Sequence, residues 1–298
     1  MSADLHLIDV EAVVKNKVPK YYPKVPKWVF RFVAWLICQK EMNHVITTLK
    51  DDYGPDFADG MTKMLNVSYD IKGMENIPDT GRFIFVSNHP LGAFDGISYI
   101  KIFGKKYPKF KVIVNDMLMY IYNLRPVFLP VNTLGAQKRS DMQAIDEAYN
   151  DEETQLLSFP AGFCSRWMER KIQDVPWKKS VITQAIESKR DIIPLYFDGR
   201  NSIFFYAVEW LRRVCGMKFN IGLILLPWQM MKTARNKHFT ITIGQPIPWQ
   251  TFDKSKTPTE WAKWLREKSY ELKADPSPDY ATKQQNNKIN KINITTLC

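Results

Sequence analysis

The stretch 83–96 reads Phe-Ile-Phe-Val-Ser-Asn-His-Pro-Leu-Gly-Ala-Phe-Asp-Gly, in which an apolar run changes abruptly into a polar turn. The run Phe83–Ser87 predicts a buried strand. Asn88 and His89 follow at the carboxyl end of this strand, where open α/β sheets bind ligands. Gly92 permits a tight turn before the chain becomes apolar again. We therefore expect a strand, a turn and then a helix, with polar side chains gathered at the turn.

Short apolar runs of the same kind recur along the chain, and segments with helical periodicity lie between several of them. The predicted strands are Phe83–Ser87, Val112–Val114, Val127–Val131, Leu156–Phe159, Ile192–Phe197 and Phe239–Ile243. The predicted helices are Ser140–Tyr149, Trp177–Lys189 and one that starts at Thr257, and capping-box patterns mark Ser140 with Gln143 and Thr257 with Glu260. Strands that alternate with helices predict an α/β fold with a mainly parallel central sheet flanked by helices.

The chain divides by composition into three parts. Residues 1–27 are polar, basic and rich in proline, which predicts an extended arm, and an amphipathic helical run follows from Trp28 to about Leu49. We assign residues 1–70 to this basic, amphipathic N-terminal region and residues 71–274 to the α/β domain. Residues 275–298 are polar and rich in Asn and Lys, so we expect a disordered tail.

The charge of the chain indicates an anionic partner, since the net charge is +11 and the pI is about 9.3. No acidic residue occurs between Ala12 and Lys40, and Trp28, Phe32 and Trp35 recur there near helical spacing. This pattern favours binding to a membrane surface, and the alternative is an ordinary packed helix with a solvated basic face. No nucleic-acid-binding motif accompanies the basic residues, so we expect no nucleic-acid partner.

The apolar runs are shorter than the roughly 20 residues needed to cross a bilayer. The sequence also shows no secretory signal, and its four cysteines lack the spacing of metal ligands and favour a reducing compartment. We therefore expect no metal and a peripheral or monotopic protein on the cytoplasmic side of the inner membrane.

His89 and Asp95 form a candidate catalytic pair. A turn between them allows the carboxylate to fold back onto the imidazole, fix its tautomer and leave the other ring nitrogen free to accept a proton. The alternative is that Asp95 only caps a helix and His89 only ends a strand. The other three histidines, His6, His44 and His238, do not combine a strand end with a nearby acidic residue.

A second polar turn follows another predicted strand and reads Phe159-Pro-Ala-Gly-Phe-Cys-Ser-Arg166. Pro160 and Gly162 are turn-forming residues whose neighbouring amides can point outward. Arg166 supplies a planar cation that suits a carboxylate or a phosphate. Its alternative role is a structural ion pair.

The two turns resemble motifs of the glycerolipid acyltransferase superfamily, which includes the lysophosphatidic acid acyltransferases. Asn88-His89…Asp95 matches the first motif, Asn-His-x4-Asp, and residues 159–166 match the third motif, Phe-Pro-Glu-Gly-Thr-Arg-Ser. The resemblance covers roughly residues 70–250. It departs in the His-to-Asp gap, which holds five residues instead of four, and in Ala161 and Phe163, which replace the glutamate and threonine of the third motif.

The string Asn-His-Pro-Leu-Gly…Asp-Gly at 88–96, paired with Phe-Pro-Ala-Gly…Ser-Arg at 159–166, resembles a haemolysin-like branch of this superfamily. That branch includes the O-acyltransferases that complete ornithine and glycine lipids. The resemblance implies that a fatty acyl group moves from acyl carrier protein or a CoA thioester to the hydroxyl of a monoacylated amino-acid lipid, with no further cofactor. It implies that His89 is the general base, oriented by Asp95. The implied substrate-binding residues are Asn88, Gly92, Pro160, Gly162, Ser165 and Arg166.

Two other functions remain open at this level. One is a 1-acylglycerol-3-phosphate acyltransferase of phospholipid synthesis, and the other is a non-catalytic lipid-binding protein of the membrane surface. A covalent acyl-enzyme on Ser87 or Cys164 is a further alternative to direct attack by the acceptor. Backbone amides near Gly92 or Gly162 are the candidate donors to the tetrahedral oxyanion.

Overall fold

A computed structural model describes residues 5–17, 19–20, 22–132, 137–217 and 221–274. The strands are β1 Ser68–Lys72, β2 Phe83–Ser87, β3 Phe110–Asn115, β4 Phe128–Val131, β5 Gln155–Ser158, β6 Arg166–Met168, β7 Lys171–Gln173, β8 Asp191–Asp198 and β9 His238–Ile243. The helices are α1 Val10–Lys17, α2 Lys27–Leu36, α3 Gln39–Thr48, α4 Pro55–Met64, α5 Ala93–Lys106, α6 Arg139–Asn150, α7 Ser180–Ser188, α8 Ile203–Val214, α9 Ile221–Trp228 and α10 Pro258–Glu271.

The central sheet has seven strands in the order β1-β9-β8-β2-β5-β3-β4. The last five of these are mutually parallel, whereas β9 is antiparallel to β8. Strand β1 is parallel to β9 and therefore also runs opposite to the other five. The predicted α/β fold with a mainly parallel sheet is therefore confirmed, and all six predicted strands are present with ends within two residues of those expected.

The strands in the middle of the sheet are buried on both sides because helices cover both of its faces. On one face Phe85 of β2 packs with Phe103 of α5 and Phe110 of β3. On the other face Ile84 and Val86 belong to a separate core cluster that draws residues from α7 and α10. Every residue of β2 is buried, which explains why its sequence is an unbroken apolar run instead of an alternating one.

The N-terminal region differs from its prediction. Residues 1–27 are not simply an extended arm, because α1 forms there and the chain before it is bonded to α3 through Ile8 and Asn43. The expected single helical run Trp28–Leu49 is two helices, since Cys38 adopts left-handed backbone angles (φ 54°). The boundary at residue 70 falls inside β1, and α4 packs on α5, so residues before 71 belong to the same core.

Other local predictions have mixed outcomes. The capping box of Thr257 and Glu260 is confirmed, with both reciprocal hydrogen bonds present at the start of α10. The capping box of Ser140 and Gln143 is wrong, because α6 starts at Arg139 and has no side-chain cap. The predicted disordered tail, 275–298, lies outside the described residues.

Candidate active site

The two polar turns meet at the carboxyl ends of β2 and β5, which are adjacent strands of the sheet. The connection from β2 to β3 passes over one face of the sheet as α5, whereas α7, in the connection from β5 to β8, lies on the opposite face. Adjacent strands whose connections leave to opposite faces open a crevice at the strand ends, which is where open α/β sheets hold their ligands. The fold therefore brings residues 88–95 and 159–166 to one place.

His89 and Asp95 are in close contact, with Nδ1 of the imidazole 3.0 Å from Oδ1 of the carboxylate. Asp95 is fully buried, whereas the His89 side chain is 18% exposed. Nδ1 itself is buried and its N–H direction is not aligned with Oδ1 as in an ideal hydrogen bond, a looseness common in unliganded catalytic sites. The exposure comes from the remaining ring atoms, which include the second proton-binding nitrogen, Nε2.

The start of α5 holds the Asp95 carboxylate in place. Its Oδ2 accepts a hydrogen bond from the Leu91 amide at 3.0 Å, and its Oδ1 accepts one from the Gly96 amide at 2.9 Å. Gly92 caps the helix with φ 76°, and a Cβ atom there would lie 2.7 Å from the Leu226 side chain. The positive φ favours glycine at this position, and a larger residue would also displace the Leu226 side chain.

The backbone of His89 is tied to the segment after β5. Its carbonyl accepts a hydrogen bond from the Ser165 amide at 2.8 Å, and its amide donates to Oδ1 of Asp174 at 3.2 Å. The imidazole lies against the Phe159 ring, with ring centroids 4.1 Å apart. The turn after β5 thus fixes both the backbone and one ring face of His89.

Asp174 is a site residue that sequence reasoning missed. Its fully buried carboxylate accepts hydrogen bonds from the His89 amide, from Ser165 Oγ at 2.7 Å and from Trp177 Nε1 at 2.9 Å. Arg266 of α10 donates to its backbone carbonyl at 2.8 Å. Asp174 therefore joins the two turns of the site, although no motif in the sequence marks it.

Several charges act on the His89 imidazole. Burial disfavours the imidazolium, but the adjacent Asp95 carboxylate, with a further contribution from Asp174, holds the pKa of His89 above its ordinary value even though Arg166 opposes it. Burial raises the pKa of Asp174, and hydrogen bonds from Ser165, Trp177 and the His89 amide oppose that rise. A general base with a raised pKa binds a proton more firmly than free imidazole does.

Asn88 does not face a substrate crevice in this structure. The side chain is buried, its amide nitrogen donates to the Phe197 carbonyl at 3.0 Å, and its oxygen accepts from the Phe197 amide at 2.7 Å. Both polar atoms are therefore used to fasten the end of β2 to β8. These contacts favour a structural role, and the expected role of Asn88 in substrate binding stays a prediction.

Pro160, Gly162 and Ser165 all lie in the turn beside His89. The Gly162 amide donates to the Phe159 carbonyl at 2.9 Å, and this residue has φ 69°. The Pro160 carbonyl accepts from the Lys178 amide at 3.0 Å, while Ser165 bonds to His89 and Asp174. These contacts shape the turn, and they remove the Gly162 amide from the candidate oxyanion donors.

Arg166 is turned away from solvent. Its Nη1 lies 3.5 Å from Oε2 of Glu209, both side chains are buried, and the guanidinium lies over the Phe205 ring at 5.6 Å. Glu209 is also bonded to Arg212. This geometry favours the alternative role of Arg166, a structural ion pair, and its role in binding the acceptor head group stays a prediction.

The candidate covalent nucleophiles are poorly placed. Ser87 is fully buried, and its Oγ lies 2.8 Å from the Tyr99 hydroxyl. Burial raises the pKa of the Cys164 thiol to about 12, so it is protonated at neutral pH. Within the described ranges, no three His, Cys, Asp or Glu side chains converge as metal ligands.

The sequence resembles proteins of known activity over most of its length. Residues 12–277 match the model of a family described as Acyltransferase. Two lyso-glycine lipid O-acyltransferases are similar: one from Phocaeicola vulgatus is 42% identical over 90% of this chain and 96% of its own, and one from Bacteroides thetaiotaomicron is 41% identical over 90% and 98%.

A solved structure is also similar. The crystal structure of the 1-acyl-sn-glycerophosphate (LPA) acyltransferase PlsC from Thermotoga maritima matches with a TM-score of 0.45 and 18% identity, over 89% of this chain and 95% of that one. The family match, which spans far more than half of the chain, and the two close relatives confirm the predicted superfamily. The chain belongs to the acyltransferase family and is an acyltransferase.

Proposed function

We propose that this enzyme transfers a fatty acyl group from an acyl thioester to the hydroxyl of a lyso-lipid, and that the acceptor is a monoacylated amino-acid lipid such as lyso-glycine or lyso-ornithine lipid. The observation that carries the proposal is the His89–Asp95 pair, 3.0 Å apart at the end of β2. The two relatives named lyso-glycine lipid O-acyltransferase support the choice of acceptor.

In the proposed mechanism the acceptor hydroxyl gives its proton to Nε2 of His89 while its oxygen attacks the thioester carbonyl carbon. Asp95 stabilises the imidazolium that forms. The tetrahedral intermediate then collapses, the carbon–sulfur bond breaks, and the imidazolium returns the proton to the leaving thiolate. Since the Gly162 and Leu91 amides are already bonded, the other backbone amides of the two turns are the candidates for stabilising the oxyanion.

The surroundings of the third motif favour an amino-acid lipid over a phosphorylated glycerol. Ala161 occupies the position of the family's glutamate, and it is buried in an apolar cluster with Trp177. Lys178 lies beside this turn, since a Cβ atom on Gly162 would be 2.9 Å from its Nζ. No described carboxylate pairs with Lys178, whose exposed ammonium is therefore free to bind the carboxylate of the acceptor.

The proposed donor is acyl carrier protein or acyl-CoA, and the proposed location is the cytoplasmic surface of the inner membrane. Trp28, Phe32 and Trp35 of α2 are 62%, 52% and 68% exposed, as expected for side chains that enter a bilayer interface. Among the residues that the structure describes, no helix is long and apolar enough to cross a membrane.

Purified enzyme tested with a panel of acceptors will decide the acceptor class. Lyso-glycine, lyso-ornithine and lysophosphatidic acid are each offered with acyl-CoA or acyl carrier protein, and the products are measured by mass spectrometry. We expect acylation of an amino-acid lyso-lipid to be preferred. Preference for lysophosphatidic acid would instead support the phospholipid-synthesis alternative, and no product with any acceptor would support a non-catalytic lipid-binding protein.

The head-group role of Lys178 has its own test. We expect Lys178→Gln to raise the KM for the amino-acid lipid about tenfold with little change in kcat, because a charge-assisted contact made equally in ground and transition states is lost. Lys179→Gln, which changes the exposed neighbour, is the matched control. An unchanged KM for the Lys178 variant would contradict this role.

The direct route is distinguished from a covalent one by trapping. Enzyme incubated with labelled acyl thioester, without acceptor, is precipitated and treated with hydroxylamine. We expect no releasable label, because Ser87 and Cys164 are buried and the thiol pKa of Cys164 is high. Stoichiometric hydroxylamine-sensitive label would establish an acyl-enzyme.

A further inference from the structure

Helix α8 shows the reverse of the usual amphipathic arrangement. Its charged Glu209 faces inward and is buried, whereas its outward face is apolar. That outward face consists of Ile203, Phe204, Ala207, Trp210, Leu211 and Val214, all of which are exposed. Ile203 alone is 87% exposed. A contiguous apolar helix face in water marks a surface that something else covers.

Helices α2 and α8, which carry the exposed apolar side chains, both pack against α9. Leu36 at the end of α2 packs on the cluster that contains Phe205 of α8 and Leu225 of α9, and the Phe204 and Trp228 rings lie 6.4 Å apart. We call the exposed apolar side chains of these neighbouring helices the α2–α8–α9 face.

The charges around this face are almost entirely positive. The basic residues of α2 and α8 are Lys27, Arg31, Arg212 and Arg213. The acidic residue of these two helices is Glu209, which is buried and paired with Arg166 and Arg212. A second copy of this chain would bring like charges together, whereas an anionic bilayer complements both the apolar centre and the basic rim.

Helix α9 also contacts the turn after β2. Leu226 of α9 approaches Gly92 so closely that a Cβ atom there would lie 2.7 Å from it. The loop that carries His89 is therefore a direct neighbour of α9.

We propose that α8 and α9 join α2 in an anionic-membrane-binding face that sets the His89 loop at the bilayer boundary, so that a lyso-lipid enters the site from the lipid side. The binding part of this inference stands without the proposed function, whereas the entry of the lyso-lipid rests on it. The occupant is a bilayer with anionic head groups. Trp210 and Leu211 insert into it as Trp28 and Trp35 do from α2.

Full-length enzyme with Trp210→Gln and Leu211→Gln together tests the face. Binding to vesicles of phosphatidylcholine with 30% phosphatidylglycerol is measured by co-sedimentation, and acyl transfer is measured with a vesicle-borne acceptor and with a short-chain acceptor dissolved in water. We expect vesicle partitioning to fall at least tenfold, about 1.4 kcal/mol, with vesicle-borne turnover reduced and turnover of the dissolved acceptor retained. Met142→Gln, an exposed apolar residue of α6, is the control and should change neither quantity.

Unchanged partitioning of the double variant, or a wild-type dimer that the double variant dissociates, would overturn the inference. Failure of the proposed function looks different. In that case wild-type enzyme acylates neither acceptor, while its partitioning still depends on Trp210 and Leu211.

Discussion

Replacing Asp174 by Asn keeps the shape of the side chain but removes its charge and one acceptor oxygen. The amide oxygen of Asn can still accept from the His89 amide and from Ser165 Oγ, both of which bond to Oδ1. The amide nitrogen then faces Trp177 Nε1, which lies 2.9 Å from Oδ2, and two donors meet there. A buried donor left without an acceptor costs about 1–3 kcal/mol.

We therefore expect Asp174→Asn to destabilise the fold by about 2 kcal/mol. The loss is limited because a buried charge, whose cost raises the pKa of Asp174, disappears as well. For a chain of this size a loss of this amount lowers Tm by about 4–8 °C. Calorimetry measures it directly.

The substitution should also move the pH dependence of catalysis. His89 must be neutral to act as a base, so kcat/KM rises with pH through its pKa in the free enzyme. The Asp174 carboxylate helps to raise the pKa of His89, so its removal lowers that pKa. The acidic limb of the plot of kcat/KM against pH therefore moves toward lower pH. Asp95→Asn should move the limb further, because Asp95 contributes more.

Two neutral variants separate charge from structure. Ser165→Ala and Trp177→Phe each remove one hydrogen bond to Asp174 without changing any charge. They should lower Tm but leave the acidic limb in place. If the limb of Asp174→Asn stayed at the wild-type pH, or if Ser165→Ala moved it equally, the argument that Asp174 acts on His89 through its charge would be refuted.

Further predictions concern the frame of the site. Gly92→Ala should lower the free energy of unfolding by about 2 kcal/mol and slow turnover, because φ is 76° and the new Cβ would meet Leu226. Thermal unfolding measures this loss, and adding Leu226→Ala to the same enzyme should recover part of it. Arg190→Met should lower the free energy of unfolding by about 3 kcal/mol in denaturant, because four backbone carbonyls at the end of α6 and in the loop before β5 lose the donor that this fully buried guanidinium supplies. Thr257→Ala should cost about 1 kcal/mol by the same measurement, because the capping box of α10 is lost.

The sequence predicts the contact between His89 and Asp95 because the constraint is local. His89 and Asp95 are separated by one turn, and the residues between them specify that turn. Asp174 is different, since it lies 85 residues from His89 and contacts it only after β5 and β2 have paired. No periodicity or spacing in a single sequence encodes that contact.

The partner of Arg166 was unpredictable for a related reason. The residue type indicates an anionic partner, but only the packing of α8 on β6 shows that Glu209 lies beside it. The β6–β7 hairpin also escaped prediction. Its turn places Glu169 and Arg170 in left-handed backbone angles, where Asn-Gly or Asp-Gly is the usual signal.

The most direct test of the account is the single-turnover rate of acyl transfer by His89→Ala, compared with wild type at saturating acyl thioester and lyso-lipid. If the imidazole removes the hydroxyl proton, the rate should fall by about 10²–10⁴ with Tm nearly unchanged. A folded His89→Ala enzyme that transfers acyl groups within about threefold of the wild-type rate would contradict the account.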